Sequence, residues 1–155
     1  MKRFLFTILL IIPILSFGTN QRSDILRYNG TKLRLHTSWA YPSIIQLYFS
    51  QKETKYPFSM ISTANYRGHI ATWEIENNRL ILTEIKIGKV KHNAEEYGIT
   101  SNMDTLKGVD KVFADWFTGI ITCDEASDKE TDETYFFNIV KGKVIDAQII
   151  GSKDY

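Results

Sequence analysis

The stretch Arg67-Gly68-His69-Ile70-Ala71-Thr72-Trp73-Glu74-Ile75, followed after Asn77-Asn78 by Arg79-Leu80-Ile81-Leu82-Thr83-Glu84-Ile85, constrains the fold most. Asparagine tolerates the left-handed backbone region, so two of them between β-branched and apolar runs predict a two-residue hairpin turn. That turn fixes a register with Glu76 opposite Arg79, Ile75 opposite Leu80 and Trp73 opposite Leu82. Trp73, Ile75, Leu80 and Leu82 then share one face. Ile70, Thr72, Ile81, Thr83 and Ile85, with Glu74, share the other. A strand pair with apolar residues on both faces belongs inside a sandwich or barrel, with something covering its outer side.

Two more hairpins are predicted around this one. Ile25–Tyr28 and Lys32–His36 flank Asn29-Gly30, and Thr134–Ile150 folds about Lys141-Gly142. Between the first hairpin and the central one, Ile44, Ile45, Tyr48 and Phe49 recur at helical spacing behind Pro42. This predicts one short amphipathic helix over 42–51, suited to plug an open barrel end or to cover the outer side of the central hairpin. Residues 88–108 read as a long polar connection with a short helical turn near Ala94–Tyr97. Val109–Cys123 reads as a strongly apolar segment in which Gly119 marks a bulge or corner. The sum is a mainly β fold, an antiparallel barrel or sandwich of about 7–8 strands.

The first 18 residues follow a secretory pattern. Lys2 and Arg3 precede an apolar run from Phe4 to Phe17, and Ser16 and Gly18 sit at the −3 and −1 positions of a cleavage site. Cleavage after Gly18 would leave residues 19–155, 137 of the 155, as a single β-rich domain in the periplasm or outside the cell. Without Lys2 and Arg3 the chain carries 17 basic against 18 acidic residues, a balance that argues against a nucleic-acid partner and gives no reason to expect binding to an anionic membrane surface; the apolar run is short for a spanning helix and is interrupted by Pro13, so no stable membrane insertion is expected after cleavage. The single cysteine, Cys123, allows no disulfide within the chain and reads as a small buried hydrophobe.

Arg67–Ile75, Asn78–Leu82 and Val112-Phe113-Ala114-Asp115-Trp116-Phe117-Thr118-Gly119 together resemble a group of uncharacterised bacterial proteins. That group shares an R-G-Y-[IV]-A-T-W-E-I hairpin and a V-F-A-D-W-[FY]-[ST]-G strand; His69 departs from its usual aromatic. The resemblance covers roughly Ser62–Gly119. It implies a bacterial source and a shared fold, and brings no activity or functional residue with it.

The sequence carries no phosphate loop, nucleophile elbow, C-x-x-C or H-E-x-x-H, and its three histidines are too scattered for a metal motif. No cofactor is expected, and an enzyme is disfavoured. The expected function is that of an exported, non-enzymatic protein binding a small apolar or aromatic ligand or a protein partner. Trp73, Asp115, Trp116 and Phe117 are the candidate ligand-binding residues. One alternative is a secreted hydrolase using Asp115 with Glu74 or Glu84; another is an envelope or immunity-type factor. The acidic loop 124–133 lacks calcium-loop spacing and reads as a solvated connection.

Overall fold

The computed structural model describes residues 21–36, 42–103, 110–126 and 133–151. The expected secretory segment, 1–18, and residues 127–132 of the acidic loop lie outside these. Nine strands are present: β1 (Ile25–Tyr28), β2 (Thr31–Leu35), β3 (Ile70–Glu76), β4 (Arg79–Ile87), β5 (Val90–His92), β6 (Val112–Phe113), β7 (Gly119–Glu125), β8 (Thr134–Val140) and β9 (Lys143–Ile150). Among the described residues one helix, α1 (Ile44–Gln51), and a 3₁₀ turn at Glu95–Tyr97 accompany them.

Seven strands close into a barrel in the order β3-β1-β2-β7-β8-β9-β4, with β4 pairing back to β3; β5 and β6 lie outside the ring on β4. The barrel is mixed, not purely antiparallel as expected, because β1 runs parallel to β3. The first hairpin ends at β2, and the chain returns through α1 and the 52–69 loop to the far side of β1. It therefore re-enters in the direction of β1, a crossover that hairpin-by-hairpin reading does not anticipate.

All three predicted turns form with left-handed backbones: Asn29 and Gly30 at φ 49° and 81°, Asn77 and Asn78 at 48° and 57°, Lys141 and Gly142 at 49° and 75°. These signs fit the right-handed twist of the strands they join. The central register is as predicted, with Trp73 opposite Leu82, Ile75 opposite Leu80 and Glu76 opposite Arg79. Beyond Trp73 a bulge intervenes, so that Thr72 faces Glu84 and Ala71 faces Ile85. The extra residue, Thr83, donates its hydroxyl to the Thr72 carbonyl at 3.0 Å. Ile85 is thereby moved from the expected outer face to the inner one, where it is fully buried with Trp73.

The core contains the inward residues of β1–β4, β7 and β8 together with Ile44, Ile45, Tyr48 and Phe49 of α1. The helix thus serves the interior and does not cover the outer face of the hairpin. On that outer face Ile81 is buried beside Phe113, its register partner on β6, and Arg79 lies 5.5 Å over the Phe113 ring. The helix starts two residues later than expected. Ser43, not Pro42, ends the preceding chain: its hydroxyl accepts the Gln46 amide at 3.2 Å, and the Gln46 side chain accepts the Ser43 amide at 2.8 Å.

Val109–Cys123 is not one strand. Phe117 N–H bonds back to the Ala114 carbonyl at 3.0 Å, making a turn at Asp115–Trp116 between β6 and β7. Gly119 opens β7 in regular register with Ile139 instead of forming a bulge. Among the described residues no helix is long and apolar enough to cross a membrane.

Candidate functional site

The turn at Asp115–Trp116 sorts the expected site residues. The half-buried Asp115 carboxylate accepts the amides of Asn102 (2.7 Å) and Met103 (3.0 Å) through one oxygen, tying the 98–103 loop to the barrel. Trp116 points inward. Its indole N–H donates to the Ile44 carbonyl at 3.1 Å, its ring meets Tyr48 edge-on at 4.7 Å, and its own carbonyl accepts Gln51 Nε2 at 3.2 Å. It fastens the helix at both ends. Trp73 is fully buried in the barrel core. Of the four, Phe117 is the one that reaches a cleft.

That cleft lies between the start of α1 and β7 and has a volume of about 620 Å³. Its walls are apolar: Leu35, Ile44, Leu47, Phe117, Ile120 and Ile121, with Pro42 at one end. Ile120 is 68% exposed at the edge of the cleft. Polar groups enter from Asp24, Arg67 and His36. This is the composition of a small-molecule site, a mostly apolar hollow with a few fixed polar groups.

The polar end is held by its own hydrogen bonds. Asp24, 1% exposed, accepts the Ala71 amide at 3.0 Å and the Arg67 guanidinium at 3.3 Å through Oδ1. The same Arg67 nitrogen donates to the Arg22 carbonyl at 2.8 Å. Arg67 Nε is buried without a partner among the described residues. Behind it, the Tyr56 hydroxyl donates to the Arg67 carbonyl at 2.9 Å and lies 2.6 Å from His69 Nδ1. His69 Nδ1 also lies 3.3 Å from the Arg67 carbonyl, and the His69 ring packs against Phe58 at 4.7 Å between centroids. Burial pushes the His69 pKa below 6.5 and the Tyr56 phenol well above its usual value, so both are neutral. His69 braces the loop that carries Arg67.

The three carboxylates considered for hydrolysis are engaged separately. Glu74 pairs with Lys111 at 3.2 Å, Glu84 with Lys91 at 2.8 Å, and Asp115 with the loop amides. Cys123 is buried and its thiol is pushed up to about 12 by desolvation, which removes its nucleophilic form at neutral pH. Among the described residues no group of three or more His, Cys, Asp or Glu is placed to hold a metal.

Sequence reasoning missed Asp24, Arg67 and Ile120. The Arg-Gly-His run was visible, but pairing Arg67 with Asp24 needs the parallel β1–β3 contact, which local pattern does not encode. Comparison with protein-family models, with curated proteins and with solved structures finds no match to this chain.

Proposed function

We propose that this is an exported, non-enzymatic barrel protein that binds a small amphipathic ligand in the α1–β7 cleft. The observation that carries this reading is the cleft itself, with apolar walls closing on the Asp24–Arg67 pair. An apolar body would cover Ile120, Phe117 and Leu47, and an acceptor group such as a carboxylate or carbonyl would meet Arg67. The separate engagement of Glu74, Glu84 and Asp115 gives the hydrolase alternative no support.

Calorimetric titration with decanoate, an apolar chain ending in an acceptor, tests the reading. The wild-type protein is expected to bind saturably. Ile120→Arg, which fills the mouth from an exposed position, is expected to weaken binding at least about tenfold without unfolding the barrel. Absence of saturable binding, or binding that Ile120→Arg leaves unchanged, refutes it.

A second reading rests on a different surface. Met60 (59% exposed), Ile61 (47%) and Tyr66 (56%) stand on the 59–66 loop, held by the Ser62–Asn65 bridge. An apolar and aromatic patch on a braced loop suits a protein partner, as an envelope or immunity-type factor would have. Retention of partner binding by Ile120→Arg together with its loss in Met60→Ser/Tyr66→Ser would favour this reading.

A further inference from the structure

The near-neutral charge of the chain conceals one cation-rich groove on the outer face of the barrel. It runs across β2, β1, β3 and β4, has a volume of about 790 Å³, and lies on the side of β1 and β2 opposite the core. Arg22, Arg27, Lys32, Arg34 and Lys86 line it. Of the two carboxylates in it, Glu84 pairs with Lys91 at 2.8 Å, and Asp124 is hydrogen-bonded by His36 and by the Thr134 hydroxyl. Among the described residues Arg27, Lys32 and Lys86 form no ion pair. Arg27 and Lys32 are register partners on adjacent strands, so two like charges face each other directly, while Glu74, the register partner of Arg27 on β3, is paired with Lys111. That arrangement opposes folding, and an anion between them would reverse its sign.

We infer that this groove binds the phosphate groups of a non-aromatic oligoanion. Guanidinium and ammonium groups side by side suit oxyanions bearing several acceptors, and Thr72 and Gln21 add polar groups to the lining. Several uncompensated cations along one hollow suit a ligand with several negative charges in a row. The lining contains no Phe, Tyr or Trp, so the groove offers no platform on which nucleobases would stack. The groove adjoins the α1–β7 cleft, sharing Leu35 and His36 with it, but Ile120 and Phe117 line only the cleft, and Arg27, Lys32 and Lys86 only the groove.

One substitution separates binding from folding. Lys32→Glu turns the like-charge pair into an attractive one, and Lys32 is exposed. The urea midpoint is therefore expected to hold or rise while phosphate binding falls. The probes are short-chain linear polyphosphate, followed by calorimetry, and vesicles containing phosphatidylglycerol, followed by co-sedimentation. Binding to either probe is expected to weaken about tenfold or more in Lys32→Glu, to weaken with added salt, and to be unchanged in Ile120→Arg. The polyphosphate arm reports a soluble ligand and the vesicle arm a lipid headgroup. The inference is overturned if the wild-type protein binds neither probe, if Lys32→Glu binds as well as wild type, or if an oligothymidylate outcompetes polyphosphate.

Discussion

Gly142→Ala tests how the barrel closes. β4 and β9 share a single register pair, Arg79 with Lys143, so the seam depends on the hairpin tips beside it. Gly142 is central there: its carbonyl accepts Leu80 N–H at 2.8 Å and its N–H donates to the Phe117 carbonyl at 2.8 Å. Its φ is +75°, and a Cβ would lie 2.7 Å from both the Ala114 carbonyl oxygen and Phe113 Cε2. The left-handed conformation costs a side chain roughly 1–2 kcal/mol. Displacing the Ala114 backbone strains or breaks the two seam bonds, each worth about 1 kcal/mol. The expected loss is about 3–4 kcal/mol. Gly30→Ala is the control, because φ there is +81° but nothing lies within 4 Å of the new Cβ. It keeps the conformational cost and omits the clash, and the effect of alanine on the unfolded chain is common to both. Urea unfolding is the assay. With a slope of about 1–3 kcal/mol per molar, the two midpoints are expected to differ by roughly 1 M. Equal losses for the two variants would show that the contact at Ala114 does not hold the seam.

The remaining predictions concern buried polar groups. Burial depresses the folded-state pKa of His69, so the stability it preserves is full above pH 6.5 and is lost as pH falls through 6.5 toward its folded value, with a slope approaching about 1.4 kcal/mol per pH unit. The difference in urea midpoint between wild type and His69→Phe is expected to change between pH 7 and pH 5, and a constant difference would show that the imidazole is not held neutral. Trp116→Phe removes the bond to the Ile44 carbonyl and is expected to cost about 1–3 kcal/mol, measured by thermal unfolding. Native Cys123 is expected to resist a thiol reagent such as dithionitrobenzoate at pH 8 and to react fully in urea; rapid labelling of the native protein would contradict its burial.

The three hairpins were legible because their signals are local. Asn-Gly, Asn-Asn and Lys-Gly supply the left-handed turns, and strict alternation beside them sets the register. The Thr83 bulge was not legible, since a bulge obeys the partner strand and not its own pattern, and it carried Ile85 to the other face. The tight turn at Asp115–Trp116 is hidden in the sequence, because Val-Phe-Ala-Asp-Trp-Phe alternates well enough to pass for strand. Its carboxylate is bound by the remote Asn102 and Met103 amides. Of the candidate site residues, Phe117 lines the cleft, while Trp73 and Trp116 serve the core and Asp115 a loop. Aromatic residues were conspicuous in the sequence, yet the cleft takes its polar end from Asp24 and Arg67 on distant segments that only the parallel crossover brings together.

The most direct test of the binding account is amide chemical-shift mapping of the purified protein titrated with decanoate. The account predicts saturable shifts centred on Gly119–Thr122, Ser43–Leu47 and Arg67, the segments that line the cleft. Shifts confined to the 59–66 loop, or scattered without saturation, would contradict it.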